Sequence, residues 1–576
     1  MIRKDILSQI LFEAKSYKTF EGIEKLVDVG TDLSMIPIQP LYISLMGTST
    51  DQIAQILPKL SRAQRQSLLD LDLWRKDVVD VNSFEHWIEV YSKVEDHDLT
   101  QEFVTSEDFY LYLKSRVNIH TFDTEEPEYP DHDYYFLTDD MLLLIEYSEE
   151  YTYPNELKYL VRMIYSKFGV EVAYTTLFKL INDNFSELQE QRYQIKKDRL
   201  RDFGFVDYYE AIEKLHPFAS FKQIDNFINK KIQVTANIDL TAQNQSLHSS
   251  ALVSFDSDME NILKELAKVK DEGRLNYLHF TFIRMVNSTI TINDALKGGR
   301  IELTRIGKHT RNTMELGLQY VKMKSLESGD KSLFTRFDFF DLYKVGHTLI
   351  MLLKNKVKKS LVKTPFESED FEYFLGAWWN SFLDNSELDI PKVKAYGAAL
   401  HASEVNNLTV YEYWKKDVTL FTESLPFINS FFTMFQKLKA DGKLHDEFYL
   451  NYEVENIDFE SIIISSYINF SLGYFSGTDV NKMGVSISEL REFFKEYFIR
   501  NDSDGEYFLI PFDNVKMKNS LSEFIEKFGF SSINNFGEYF YGILSEHLSG
   551  YDFDTLGDED FKHIGGPILL NSIPNN

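Results

Sequence analysis

Cysteine is absent from this sequence of 576 residues. The absence excludes disulfides, zinc sites built from thiolates, iron–sulfur clusters and cysteine nucleophiles. The chain does not need such cross-links, because its length and its 43% of hydrophobic residues supply a large apolar core. A chain without cysteine is typical of a reducing compartment, and we therefore expect a cytoplasmic location.

Long uncharged apolar runs are also missing. The most apolar stretches, residues 349–353 and 462–464, meet charged residues well before the roughly 20 residues that a bilayer-spanning helix needs. Residues 1–14 place isoleucines at helical spacing among charged residues, which predicts an amphipathic helix rather than a signal peptide. We expect no membrane span.

Positive charge is scarce, since 61 Lys and Arg face 90 Asp and Glu and the net charge is −29. Such a chain repels polyanions, so nucleic acid is not an expected partner. A large net charge also keeps ordinary proteins dispersed in solution, and it needs no more specific explanation.

Helix is the predicted dominant element, because helix-start signals recur along the chain. A Ser or Thr that caps a helix is often followed three residues later by Glu or Gln. The candidate pairs are Ser61 with Gln64, Ser257 with Glu260, Thr364 with Glu367, Ser486 with Glu489, and Ser520 with Glu523. Pro365 strengthens the Thr364 start. The helix after Ser486 places large apolar side chains on one face, which we expect to be buried. They are Leu490, Phe493, Phe494, Tyr497 and Phe498.

Strands are predicted in two short β-hairpins. Residues 232–240 alternate apolar and polar side chains and can pair with residues 251–255. Residues 134–138 and 141–147 flank Asp139 and Asp140 as a second hairpin, although the apolar run 142–145 is equally compatible with a helix start. The predicted fold is therefore mainly α, a multi-segment helical protein with short β-hairpins.

Breaks in the pattern divide the chain into four regions. We predict an N-terminal helical region (1–120), a region with an acidic loop, a hairpin and helices (121–215), a central helical region with a hairpin (216–363), and an aromatic-rich C-terminal helical region (364–576).

Residues 118–156 contain acidic side chains and no Lys or Arg. Carboxylates at this density repel one another and resist burial, so we expect an exposed loop that can bind a basic protein surface. The candidate partner-binding residues are Asp123, Glu125, Glu126, Glu128, Asp131 and Asp133. A loop that is simply solvated is the alternative.

Two stretches come close to known binding motifs and fail. Residues 305–310 resemble a phosphate-binding loop but do not match its motif. Glu302 stands where the motif needs its first glycine, and His309 stands where it needs Ser or Thr after the lysine. Residues 501–506 resemble the middle of a calcium loop, but Arg500 and Pro511 occupy the positions of its end ligands. We expect neither nucleotide nor calcium binding through them.

Histidines with acidic neighbours are the remaining candidates for chemistry. His97 and His132 each lie between two aspartates, and His120 is not far away in the sequence, so metal binding and a solvated acidic loop are both compatible with the pattern. No nucleophile elbow, metalloprotease motif or dinucleotide fingerprint is present. We predict no catalytic residue, metal ligand or cofactor.

A lysine cluster and a tryptophan pair stand out in the second half. The cluster consists of Lys354, Lys356, Lys358, Lys359 and Lys363. It suits the C-terminus of a helix, and docking of an acidic surface, including the protein's own, is the alternative. Trp378 and Trp379 cannot share one helix face, so we expect one in the core and one at a boundary.

Three stretches together resemble a known family: residues 56–80 (ILPKLSRAQRQSLLDLDLWRKDVVD), 198–218 (DRLRDFGFVDYYEAIEKLHPF) and 275–353, which includes YKVGH at 343–347. They resemble an uncharacterised bacterial family of long, mainly helical proteins, a domain of unknown function, over most of the first 360 residues. Residues 231–256 and the C-terminal third fit the resemblance less well. Residues 51–74 are also similar to the stacked short helices of magnesium-transporter and flagellar-switch N-terminal domains.

The resemblance implies no catalytic residue, and the residues themselves supply none. We therefore expect a non-enzymatic helical scaffold or adaptor that binds other proteins in the bacterial cytoplasm. An enzyme that uses Asp, Glu and His from separate segments is one alternative, which a deep pocket of convergent titratable groups would favour. A regulator that senses a small molecule or metal is the other.

Overall fold

The computed structural model describes residues 33, 38–122, 129–202, 204–232, 260–325, 331–393, 403–474, 484–501, 505–564 and 566–572. Within these ranges helix dominates, and the strands form only small antiparallel sheets of two or three strands. The predicted mainly α fold with short hairpins is confirmed. The helix predicted at 1–14 lies outside the described residues, and so does the hairpin predicted at 232–255 apart from its first residue.

The chain forms two compact units. The first unit comprises Met1–Phe218 and Lys222–Gly346, and the second comprises Ala219–Phe221 and His347–Asn576. The four-region division drawn from the sequence stays a prediction.

Short helices and hairpins begin the described chain, and longer helices follow. The helices are α1 (Ile38–Met46), α2 (Thr50–Ile56), α3 (Arg62–Asp72), α4 (Val81–Ser92), α5 (His97–Val104), α6 (Glu107–Arg116), α7 (Pro154–Asn182), α8 (Phe185–Asp202), α9 (Tyr208–Leu215), α10 (Phe221–Lys230), α11 (Glu260–Ala267), α12 (Glu272–Ile292), α13 (Gly299–Lys324) and α14 (Phe339–Leu361). The strands are β1 (Trp74–Arg75), β2 (Val78–Val79), β3 (Asn118–Thr121), β4 (Tyr135–Leu137) and β5 (Leu143–Glu146).

The rest of the chain continues with helices that are mostly short. They are α15 (Glu369–Glu372), α16 (Ala377–Glu387), α17 (Leu408–Ala440), α18 (Phe459–Ser471), α19 (Ile487–Tyr497), α20 (Val515–Lys527), α21 (Phe536–Leu548) and α22 (Asp558–Phe561). The strands are β6 (Lys392–Val393), β7 (Ser403–Glu404), β8 (Phe498–Arg500) and β9 (Tyr507–Leu509).

The second predicted hairpin is present and belongs to a larger sheet. β4 pairs antiparallel with β5, with Phe136 opposite Ile145. β3 pairs with the other edge of β5, so the strand order is β3-β5-β4. The expectation that strands occur at only two places was wrong, because two-residue ladders such as β1–β2 also join helices in the described chain.

Helices begin at the predicted residue where the side chain of that residue accepts from a backbone amide of the first turn. Ser61 and Ser486 both form the predicted reciprocal boxes with Gln64 and Glu489. All five apolar side chains predicted on the helix face after Ser486 are buried. These two starts are confirmed, and Ser257 lies outside the described residues.

Two predicted helix starts were wrong. The Thr364 hydroxyl donates back to the Leu361 carbonyl at 2.8 Å, so it does not cap the single 3₁₀ turn Pro365–Glu367 that follows. The next helix begins at Glu369, with Ser368 as its cap. Ser520 lies inside α20, whose cap is Asn514, because the apolar face of that helix extends further toward the N-terminus.

A buried ionic network crosses the first unit. The Arg192 guanidinium donates to the Asp108 carboxylate, and Arg199 donates to both carboxylate oxygens of Asp70 at 2.7 Å. Asp72 accepts from Tyr42 and from the Trp87 indole, both at 2.8 Å. These side chains come from α1, α3, α4, α6 and α8, so the charges tie distant helices together.

Two glycines bring the backbones of α13 and α14 into direct contact. A Cβ at Gly346 would lie 1.9 Å from the Thr313 carbonyl oxygen, and a Cβ at Gly317 would lie 1.9 Å from the Leu342 carbonyl oxygen. Only glycine fits at either position without moving the helices apart. The glycine of the YKVGH stretch is therefore explained by packing.

Aromatic packing dominates the second unit. α18 lies at its centre, where α17, α19 and α20 pack against it. Its residues from Phe459 to Asn469 are all buried, as expected for a helix that is apolar on nearly every side. Tyr467 on this helix makes edge-on contacts with the rings of Phe493, Phe524 and Phe540.

Candidate functional site

An open groove of about 700 Å³ lies in the second unit, between the last turns of α14, the turn Pro365–Glu367, α15 and α16. Its floor is apolar and consists of Met351, Val357, Leu361, Phe366 and Leu383. Its rim carries the carboxylates of Glu367, Glu369, Glu372, Asp384 and Glu387. We call it the acidic groove.

The local sequence explains why the rim is acidic. Glu369 and Glu372 occupy the first turn of α15, where negative charge complements the unpaired backbone amides. Asp384 and Glu387 lie near the end of α16, where negative charge is unfavourable. Lys354 relieves this conflict, since its ammonium donates to the Leu388 carbonyl at 2.6 Å.

The charge of the acidic groove is not balanced locally. Its five carboxylates face two ammonium groups, Lys354 and Lys358, and Lys354 is engaged with backbone carbonyls. Within the described residues, none of the five carboxylates forms an ion pair with a lysine or arginine. Burial raises the pKa of Glu372, and its acidic neighbours Asp384, Glu387 and Glu369 raise it further. The groove therefore presents an excess of negative charge over an apolar floor.

The lysine cluster lies at the end of α14, as predicted, with Lys358 and Lys359 in its last turn. Lys354 in addition binds the carbonyls at the end of α16. Burial lowers the pKa of Lys354, while Glu387 opposes this shift. Lys356 reaches the Thr419 hydroxyl at 3.3 Å. Part of the cluster thus binds backbone carbonyls and a hydroxyl of neighbouring helices.

The tryptophan pair divides as predicted. Trp379 is fully buried and stacks on Tyr539, with 4.7 Å between ring centroids. Trp378 is half-buried, and its ring meets Tyr539 edge-on. The two residues lie on α16 and not on a helix that starts at Thr364.

The structure describes only part of the predicted acidic loop. Asp123, Glu125, Glu126 and Glu128 lie outside the described residues. Asp131 and Asp133 are exposed, in agreement with the expected exposure of the stretch. They belong to the first unit and do not line the acidic groove, and their binding of a partner stays a prediction.

Two of the three predicted histidines meet at one carboxylate. His120 and His132 contact the two Glu146 oxygens at 3.0 and 3.1 Å. The pKa of Glu146 is lowered, chiefly by the hydrogen bond from His120. His97 is far from this group in the sequence and begins α5. No group of three His, Asp or Glu in the described ranges is arranged to hold a metal ion.

The two near-motifs occupy ordinary secondary structure. Residues 305–310 lie inside α13, which is incompatible with a phosphate-binding loop. Asn501 and Glu506 close the turn between β8 and β9 through a backbone hydrogen bond of 2.8 Å, and residues 502–504 lie outside the described residues.

Sequence reasoning missed the acidic groove. Its acids are spread over 21 positions, and nothing in the acidic run at residues 367–372 indicates the apolar floor beside it. The available signal was a set of unpaired carboxylates on short helical turns directly after the lysine cluster, where both signs of charge meet.

The fold and the groove define a mainly helical protein of two compact units with small antiparallel sheets. In the part of the chain that the structure describes, no helix is long and apolar enough to cross a bilayer.

The chain belongs to the family of unknown function DUF6178, whose family model matches residues 9–527. The match confirms the family resemblance and extends it through residues 231–256 and into the C-terminal third. Neither the curated proteins nor the solved structures contain a match to this chain. The similarity of residues 51–74 to magnesium-transporter and flagellar-switch domains stays a prediction.

Proposed function

We propose that this protein is a non-enzymatic scaffold or adaptor of the bacterial cytoplasm, and that it holds a partner protein in the acidic groove. The observation that carries the proposal is the set of five carboxylates without a lysine or arginine ion-pair partner in the described chain, placed around an apolar floor. The matching partner segment is an amphipathic helix with apolar side chains on one face and Lys or Arg at its edges.

Each part of the acidic groove has a separate physical role in this proposal. The apolar floor supplies most of the affinity, because buried apolar area is the main favourable term in association. The carboxylates orient the helix and raise its association rate. Because the rim is exposed, binding should weaken as salt shortens the Debye length, which is about 8 Å at physiological ionic strength.

A designed peptide tests the proposal without knowledge of the natural partner. A fluorescent helical peptide of about 18 residues carries Leu along one stripe and Lys beside it. A control peptide replaces every Lys by Glu. Fluorescence anisotropy with the full-length protein should show binding of the first peptide, and none of the second, at low salt.

Matched variants locate the peptide. Glu369→Gln combined with Glu372→Gln and Asp384→Asn should weaken binding about tenfold, since each exposed charge contributes a fraction of a kcal/mol. Asp131→Asn combined with Asp133→Asn is the control and should leave binding unchanged. A loss of binding in the control, with none in the groove variant, would move the site to the acidic loop. Equal binding of both peptides would refute the role of the groove carboxylates.

A further inference from the structure

A second cavity, of about 90 Å³, lies within the first unit. Residues from all three stretches that carry the family resemblance line it: Asp70, Leu71, Trp74 and Lys76 from residues 56–80, Leu200, Phe205, Val206, Asp207 and Tyr208 from residues 198–218, and Ile290, Thr291, Asp294 and Leu296 from residues 275–353. Lys196 and Lys197 of α8 complete its wall. We call it the lysine cleft.

Two residues beside the lysine cleft hold unusual backbone conformations. Lys76, in the tight turn between β1 and β2, has a φ of 58°, and Asp294, just after α12, has a φ of 49°. Residues other than glycine adopt this region at a cost of about 1 kcal/mol or more. Strain of this kind is often found beside binding and catalytic sites.

Lys196 has no carboxylate partner among the described residues. Its Nζ lies 5.1 Å from the Trp74 ring centroid and 5.2 Å from that of Tyr193, and its nearest acceptor is the Lys76 carbonyl oxygen at 3.4 Å. Two other cations nearby are ion-paired: Lys297 lies 2.6 Å from Asp80, and Lys197 lies 3.7 Å from Asp207. The amine of Lys76 lies 4.7 Å from the Tyr208 ring centroid. The amine of Lys196 is therefore available to a ligand.

The buried network explains why Asp70 does not hold Lys196. Asp70 is almost fully buried, and its two carboxylate oxygens already accept from Arg199 at 2.7 Å. Arg192 approaches Asp70 to 3.5 Å from the other side. The two guanidinium groups occupy the carboxylate of Asp70, so it does not form an ion pair with Lys196.

The surroundings of Lys196 raise the fraction of its amine that is neutral. Burial lowers the pKa of Lys196 to about 8, with a smaller contribution from Lys297, while Asp70, Asp207 and Asp77 oppose the shift. At pH 7 about a tenth of such amines are neutral, compared with fewer than about one in a thousand for an ordinary lysine. Desolvated lysines of this kind react readily with carbonyl groups.

We propose that Lys196 is the nucleophile of a small-molecule site, and that the lysine cleft takes compact carbonyl compounds with a carboxylate group, such as α-keto acids. Leu71, Leu200 and Ile290 give the cleft an apolar lining for the body of the ligand. Lys76 lines the same cleft, and its positive charge attracts the carboxylate. This activity is independent of the proposed partner binding in the second unit.

The reaction is a reversible condensation that needs no oxidant or reductant. The neutral amine attacks the carbonyl carbon, and a proton moves from nitrogen to the former carbonyl oxygen. The resulting carbinolamine takes up one proton on its hydroxyl, loses water and then releases one proton from nitrogen, which leaves an imine. Asp294 lines the cleft, and burial raises the pKa of its carboxyl, so it can carry the proton for the departing hydroxyl.

Reductive trapping tests this proposal on the full-length protein. The protein is incubated with glyoxylate and sodium cyanoborohydride, which reduces an imine to a stable secondary amine, and the modified lysines are mapped by peptide mass spectrometry. Lys196 should be labelled at least about tenfold faster than the exposed Lys264, with a rate that rises with pH through a midpoint near 8.

Two controls separate the cleft from general lysine reactivity. Lys167→Arg, which changes an exposed lysine outside the cleft, should leave labelling of Lys196 in place, and Asp294→Asn should slow it. Acetaldehyde, which lacks the carboxylate, should label Lys196 more slowly than glyoxylate relative to Lys264. Equal labelling rates for Lys196 and Lys264 in the wild-type protein would overturn the proposal, and this comparison does not depend on any variant that folds poorly. Equal selectivity for the two aldehydes would overturn the assignment of the carboxylate.

Discussion

The two units use different interactions for their interiors. The first unit buries a network of charges, in which Asp70, Asp108 and Arg192 are all nearly inaccessible. The second unit has an aromatic interior, in which the rings of Phe494 and Phe553 stack with centroids 3.5 Å apart. A charge pair fixes the relative position of two helices because its hydrogen bonds have a preferred direction. Packed rings fix it mainly by filling the space between the helices. The first unit should therefore be sensitive to the loss of one charge and the second to the loss of one ring.

The largest expected effect is the loss of a buried cation. Arg192→Leu leaves Asp108 without the partner that neutralises it in the interior, and we expect a loss of about 4 kcal/mol in the free energy of unfolding. Arg162→Leu is the matched control, since Arg162 pairs with Asp139 at the surface and should contribute less than about 1 kcal/mol. Urea unfolding monitored by circular dichroism measures both. Similar losses for the two variants would show that the network does not stabilise the unit.

The next effect concerns the contact between α13 and α14. Gly346→Ala places a methyl group 1.9 Å from the Thr313 carbonyl oxygen, so the helices must separate, at an expected loss of about 3 kcal/mol. Gly442→Ala is an instructive comparison, because its Cβ has open space and only its positive φ opposes the change. We expect thermal unfolding to show a clearly smaller decrease in Tm for the Gly442 variant. A Gly346 variant as stable as the wild type would contradict the close contact.

A carboxyl group in the aromatic unit should make its stability depend on pH. Burial raises the pKa of Glu460 to about 8, Asp458 adds to the shift, and the Trp378 and Ala377 amides oppose it. The folded state therefore binds a proton more tightly than the unfolded chain. This contribution is fully present below about pH 4.5 and is lost as pH rises toward 8.

Glu460→Gln keeps an oxygen that can accept from the Trp378 amide, now at 2.8 Å, and removes the titration. The wild-type protein should lose on the order of 2 kcal/mol between pH 5 and 8 relative to this variant. Denaturant midpoints across this pH range provide the measurement. Parallel pH profiles for the two proteins would exclude a raised pKa at this position.

The smallest effect distinguishes two helix starts that look alike in the sequence. Ser486→Ala removes a hydroxyl that accepts from the Glu489 amide at 3.2 Å, and should cost about 1 kcal/mol. Thr364→Ala removes no capping bond and should change stability by a few tenths of a kcal/mol. If both substitutions have the same effect, the difference in capping between these positions is not significant for stability.

These pairs also show how far the sequence predicts the fold. Ser61 and Ser486 cap helices as expected, because a capping box depends only on residues three positions apart. Thr364 has the same local pattern, but its hydroxyl turns back to Leu361 at the end of α14. β3 was not predicted, because it acquires a partner only when β5, more than 20 residues later, reaches it.

The two cavities were harder to predict, because they also depend on contacts between residues far apart in the sequence. In the lysine cleft, Lys196 reaches the Trp74 ring across more than 100 residues of sequence. Its lowered pKa comes chiefly from burial, and no feature of residues near 196 indicates it. In the acidic groove, the sequence contains the charges but not the apolar floor that α14 and α16 build together.

The left-handed backbone at Lys76 and Asp294 lowers the stability of the folded chain. If folding stability were the only requirement, glycine would serve better at both positions, because it adopts a positive φ without strain. Substitution of either residue by glycine is thus a direct route to a more heat-resistant protein, at the expense of a side chain that faces the lysine cleft. A chain that retains lysine and aspartate at these positions forgoes stability where a ligand would bind.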